Sequence, residues 1–203
     1  MTSLSAVAHG PGGRGQGRGA RMLQHGWSLN LDWVTPELAV GGRFPIEAAE
    51  HLARSLSIRH VVDVRREACD DERVLREHGI SLLHLPTDDL CSISRHMLEQ
   101  GVQWVRGHLS RGNKVYIHCE HGIGRSALLA LCVLVDLGHA PLDALSLAKR
   151  ARPRVSPSPE QLETFMAWAE ERRVKRSLPW RTPTFDELAD IAYSHLRPAP
   201  SVL

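Results

Sequence analysis

Nine consecutive residues, His118-Cys119-Glu120-His121-Gly122-Ile123-Gly124-Arg125-Ser126, set a thiol, two glycines and a guanidinium at a spacing suited to phosphate. A loop of this kind turns several backbone N–H groups inward and makes a nest for an anion. Gly122 and Gly124 allow backbone angles that a side chain would forbid. Arg125 lies five residues beyond the one that follows Cys119 in a continuous loop, and its planar fork can take two phosphate oxygens at once, which a lysine cannot. A helix starting at Arg125 adds its positive dipole end to the same point. That field favours an anionic sulfur, so Cys119 needs no neighbouring base to act as a nucleophile. A merely buried, inert cysteine would need none of these companions.

The elements that must hold such a loop are legible on both sides. Lys114–His118 (KVYIH) is a β-branched and aromatic run and predicts a strand; Arg125–Leu137 (RSALLALCVLVDL) predicts an apolar helix stopped by Gly138. Upstream, Leu38–Gly42 and Arg59–Val64 predict strands, and Ser81–Leu85 a further short one. Helices are expected at Ile46–Leu56, Asp70–His78 with Gly79 as its stop, and Ser94–Leu109 ended by Gly112. Two more follow near Pro141–Arg150 and Pro159–Val174. Strand and helix alternate, so the expected class is α/β: a central, mostly parallel sheet flanked by helices on both faces.

The chain has 203 residues, of which 42% are hydrophobic and 24% charged, with a formal net charge of +2. That balance gives no general attraction to nucleic acid or to a membrane surface. The longest apolar run, around Ala127–Leu137, is too short to span a bilayer. Residues 1–26 are rich in Gly and Arg with no acid, which predicts a disordered tail. A transit peptide has a similar composition, but so many glycines oppose the amphipathic helix it needs. The expected division is this tail, a catalytic domain over 27–176, and an extension over 177–203 with one helix near Asp186–Leu196 docked on the domain. Four cysteines without zinc spacing or a secretory segment fit a reduced, cytoplasmic setting.

HCEHGIGRS matches the H-C-x-x-G-x-x-R-[ST] signature and resembles the protein tyrosine phosphatase superfamily. NLDWVTPELAVGGRF, HVVDVRRE and RVSPSPEQLETF resemble the opening, second-strand and closing segments of compact dual-specificity phosphatases, so the likeness covers Trp27–Val174. It implies a three-layer fold and a two-step reaction without metal or other cofactor. Cys119 attacks phosphorus, an aspartic acid protonates the leaving oxygen, and water hydrolyses the phosphocysteine. Ser126 stabilises the departing thiolate, Arg125 clamps the phosphate, and Glu120, His121, Gly122, Ile123 and Gly124 supply the loop around it. The acid is sought on the loop His84–Leu90, where Asp89 is preferred to Asp88 because Leu90-Cys91 follow it. His118 is expected to orient the cysteine loop by hydrogen bonding, and Asp63 to be a structural partner of loop groups. Gln161 is either a water-positioning residue or a helix-surface residue. Cys69 and Cys91 are candidates for a reversible disulfide with Cys119, or else half-buried thiols; Cys132 is core.

The implied substrate is a phosphorylated protein, at tyrosine and also at serine or threonine, because no extra segment deepens the pocket. The alternative is the same chemistry on a phospholipid, phosphoinositide or RNA 5′ phosphate, which a lysine-free loop disfavours. A non-catalytic phosphate-binding module is disfavoured by the intact Cys119, Arg125 and Ser126.

Overall fold

The computed structural model describes residues 28–196, so the tail expected over 1–26 lies outside the described residues. Among the described residues five strands form one sheet: β1 (Leu31–Trp33), β2 (Leu38–Gly41), β3 (Ile58–Arg65), β4 (Ser81–Thr87) and β5 (Lys114–His118). Their order is β1-β2-β5-β3-β4, with β1 antiparallel to β2 and all other neighbours parallel. The described residues also form seven α-helices: α1 (Ala49–Arg54), α2 (Glu72–Glu77), α3 (Arg95–Leu109), α4 (Arg125–Asp136), α5 (Pro141–Ala151), α6 (Pro159–Arg176) and α7 (Phe185–Ala192).

The period of two along the strands builds two cores. Leu38 and Val40 of β2, Val62 and Val64 of β3, and Val115 and Ile117 of β5 face one side, packed by residues of α3–α7. Ala39, Val61 and Tyr116 face the other, under α1 and the segment around Ile80. Helices therefore cover both faces, and the sheet reads as buried β-branched runs. In such a sheet the carboxyl ends of parallel strands open on one edge, and the loops after β3, β4 and β5 meet there.

Of four departures from the sequence reading, three have local causes. The edge strand β1 was not expected: three residues are too few to show a period, and only pairing with β2 defines it. β4 continues through Pro86 to Thr87, where a loop was expected. A proline is tolerated because β4 is an edge strand and Pro86 falls at the register shift opposite Asp63–Arg65. The helix expected from Asp70 starts at Glu72, because Asp71 caps it by accepting from the N–H groups of Arg73 and Val74. Asp70 is left free for another task. The terminal helix ends at Ala192, with a separate 3-10 turn over Ser194–Leu196, and buries Leu188 and Ala192 against the α3–α7 side.

Candidate active site

β5 ends at His118 and α4 begins at Arg125, so the six residues between them hang between a strand and a helix at the carboxyl edge. Cys119 is buried. Its Sγ accepts the N–H of Gly122 at 3.2 Å, and the hydroxyl of Ser126 lies 3.4 Å away. Gly122 has φ +70, and a Cβ there would collide with the backbone of Gly41. Gly124 needs to be glycine for a different reason from the one expected. Its φ is −112, an ordinary value, but a Cβ would press on the Gln161 side chain.

Two of the loop's carbonyls are held from outside by a residue the sequence reading missed. Arg152 is buried, and its guanidinium donates to Gly122 O at 2.6 Å and to His121 O at 2.7 Å. The same group is fixed by Asp32 at 2.7 Å and by Asn30 Oδ1 at 2.6 Å. Carbonyls bound from outside leave the amide side of the loop to face the sulfur. Nothing in its sequence neighbourhood marks Arg152; its partners lie 30 to 122 residues away.

Arg125 is buried and held on one edge of its fork. Nη1 donates to Thr87 O and to Glu67 Oε2, each at 2.8 Å, and Nη2 to Glu67 Oε1 at 2.7 Å. Glu67 was also missed. Its Arg125 hydrogen bonds hold the Glu67 carboxyl down at about 2. The Nε of Arg125, also buried, has no hydrogen-bond partner among the described residues. A buried donor of a charged group is costly to leave unmade. Glu67 thus orients the guanidinium through both terminal nitrogens and leaves Nε as its one unpaired donor among the described residues.

This pair yields a test of pH dependence. A carboxyl held at about 2 rather than its usual 4.5 contributes stability that is complete above pH 4.5 and is lost as pH falls towards 2. Because Glu67 is half-exposed, solvent screens part of the effect. Glu67→Gln is expected to flatten the acid limb of urea midpoints measured across that window. It should also lower kcat/KM by about tenfold, since a freed guanidinium loses its orientation.

The two candidate acids point to different places. Asp89 Oδ1 lies 3.2 Å from Arg125 Nη2, whereas Asp88 pairs with Arg66 at 3.3 Å, away from the sulfur. The loop that carries them is pinned to the start of α6. Ser158 Oγ donates to Leu90 O at 2.7 Å, Gln161 Nε2 to Cys91 O at 2.9 Å, and Ser92 N to Glu160 Oε1 at 3.0 Å. Gln161 also completes a capping box with Ser158. It is 1% exposed, so the helix-surface alternative is wrong: a side chain with both a cap and a loop to hold is drawn inward.

Behind the loop runs a buried polar chain. His118 Nε2 meets Asp70 Oδ2 at 2.8 Å, and its Nδ1 lies 3.3 Å from Cys119 O. Arg65 pairs with Asp70 at 2.7 Å and with Asp63 at 2.9 Å, and reaches Glu120 at 3.5 Å. Burial pushes the Asp63 carboxyl up, but hydrogen bonds from Arg65 outweigh it and hold it low. Asp63 therefore faces Arg65 and the Asp70 N–H, not the sulfur. Ligand atoms of Asp63, Asp70 and His118 lie within 4.8 Å of one another, but Arg65 already occupies both carboxylates, and its charge opposes a cation there.

Glu120 points outward to Arg43 at 2.6 Å, while His121 and Ile123 line a groove of about 730 Å³ that opens off Cys119. Asp89, Leu90 and Glu160 stand on the same groove. Cys69 and Cys91 are exposed and Cys132 is buried; all four thiols are free.

The catalytic-domain model of the dual specificity phosphatases matches residues 46–171. The phosphatidylglycerophosphatase and protein-tyrosine phosphatase 1 of Rattus norvegicus is 26% identical over 138 residues, covering 64% of this chain and 72% of the rat protein. Dual specificity protein phosphatase 19 of Mus musculus is 27% identical over 149 residues, covering 70% of this chain and 64% of that protein. Among solved structures, PTPMT1 superposes with a TM-score of 0.67 at 21% identity, covering 72% of this chain and 98% of that one.

Proposed function

Because the chain belongs to the dual specificity phosphatases, a family of cysteine-based phosphatases, we propose that it hydrolyses phosphate monoesters on proteins, with phosphotyrosine as the preferred side chain. The observation that carries this reading is the groove beside Cys119. Leu90, Ile123 and Tyr193 give it apolar walls, its charged members Asp89 and Glu160 are acidic, and no lysine or arginine is among the described residues that line it. An aromatic ring bearing one phosphate suits such walls. A headgroup carrying a second phosphate would meet Glu160 with no cation to balance it.

In this reading Cys119 Sγ attacks phosphorus. The S–P bond forms as the P–O bond to the tyrosine breaks, and Asp89 gives its proton to the leaving oxygen. The phosphoryl oxygens take the loop amides and the free Nε edge of Arg125, where charge builds in the transition state. Water then attacks the phosphocysteine and passes a proton to Asp89. The S–P bond breaks, and Ser126, 3.4 Å from the sulfur, stabilises the thiolate that leaves. Supporting Asp89 over Asp88 is its place 3.2 Å from Arg125. Asp89→Ala is expected to lower kcat on phosphotyrosine by about a hundredfold, within the range of general acid catalysis. Asp88→Ala should stay within about twofold. Steady-state kinetics on both variants checks this, and the reverse ranking would move the acid to Asp88.

A second reading is favoured by the rat relative, whose name includes phosphatidylglycerophosphatase. The deciding assay compares kcat/KM on phosphotyrosine, phosphoserine and phosphothreonine peptides with that on phosphatidylglycerophosphate and phosphoinositide vesicles. Phosphotyrosine is expected to lead; a tenfold advantage for either lipid would overturn the protein reading.

A further inference from the structure

The family match ends at residue 171, yet residues well beyond it reach the groove. Tyr193 and Leu196, in the turn after α7, line the groove that opens off Cys119. Several bonds hold them there. Leu188 and Ala192 of α7 are buried in the core. Tyr193 Oη donates to Pro157 O at 2.8 Å. Lys149 Nζ bonds Ala192 O at 2.6 Å, Val155 O at 2.8 Å and His195 Nδ1 at 2.7 Å, which uses all three of its donors.

On the same groove stands Leu90, from the loop that carries Asp89. Leu90 is 70% exposed and Leu196 69% exposed, the two highest values among the exposed large apolar side chains described. Leu90 also has φ +63, a region a branched side chain rarely enters. Ser158 fixes its carbonyl in that conformation. Two exposed leucines from positions 106 residues apart thus share one groove, and one of them is kept there against its backbone preference.

We propose that the C-terminal segment is a specificity wall: Tyr193 and Leu196, together with Leu90, enclose the aromatic ring of a phosphotyrosine whose phosphate sits in the Cys119 loop. This rests on the phosphatase reading above and adds to it the element that selects an aryl ester over an alkyl one. Small alkyl phosphates fill the loop without touching the wall, so they gain nothing from it. A ring placed between apolar side chains loses water on both faces.

The test compares kcat/KM on a phosphotyrosine peptide with that on the same peptide carrying phosphoserine. Leu196→Ser and Tyr193→Ala are made in the full chain, with thermal melts to confirm folding. Leu196 is exposed, so its variant reports even if Tyr193→Ala does not fold. The aryl-to-alkyl ratio is expected to fall by about fivefold for Leu196→Ser, through KM on the aryl peptide, in line with loss of one leucine's apolar surface. An unchanged ratio overturns the wall, and so does an equal fall on both peptides, which would make the segment a mere support. If the parent protein hydrolyses neither peptide, the phosphatase reading fails and the wall with it.

Discussion

Cys119→Ser is expected to reduce hydrolysis of p-nitrophenyl phosphate by at least about ten-thousandfold, as removal of a covalent nucleophile does. A hydroxyl at this place would have no base among the hydrogen-bond partners of the present sulfur to take its proton. Among the described residues Sγ is hydrogen-bonded to the Gly122 N–H and the Ser126 hydroxyl, and neither is a base. The loop itself should survive, because its shape depends on Arg152, Gly122 and the His118–Asp70 pair rather than on the sulfur. The variant should therefore still bind phosphate, and isothermal titration with inorganic phosphate or capture of a phosphotyrosine peptide measures that. Residual turnover within about a hundredfold of the parent would remove Cys119 from the chemistry.

Arg125→Lys is expected to cost about a thousandfold in kcat/KM although the charge is kept, in the range measured for arginines that stabilise phosphoryl transfer. The reason is geometric. Arg125 spends both terminal nitrogens on Glu67 and Thr87 and still has Nε unpaired, and a single ammonium cannot match that fork. If the ammonium stays with Glu67, the phosphate loses its donor; if it turns to the phosphate, Glu67 and the Thr87 carbonyl lose theirs. Burial lowers the tendency of Arg125 to stay charged, and the Glu67 hydrogen bonds more than restore it. The variant should show the loss mainly in kcat, because the donor matters most where charge builds on the phosphoryl oxygens. A lysine variant with near-parental kcat/KM would mean that charge alone suffices there.

How much of this was legible depends on the range of the interaction. The loop at Cys119 and the strand and helix around it are written in contiguous residues, and the α/β class follows from the alternation of short β-branched runs with helical ones. The resemblance pointed to Asp89 through its neighbours Leu90 and Cys91. What was missed is non-local. Glu67 reaches Arg125 across 58 positions and Asp70 reaches His118 across 48, and a carboxylate in a loop looks the same whether it is solvated or holds a buried partner. Gln161 was legible as a helix-start residue, but its reach to Cys91 O across 70 positions was not. β1 was too short to be seen without its neighbour.

All twelve residues of α4 are buried, from Arg125 at the loop to Asp136, which Arg106, Arg172 and Arg176 surround. No position on this helix can drift without disturbing the interior, so descendants of this sequence have no room there to change what they act on. Divergence towards new esters is confined to the segments that border the groove from outside: the stretch around Leu90, the bend before α6, and the turn at Tyr193–Leu196. A library aimed at altered selectivity should randomise those three and leave the helix untouched.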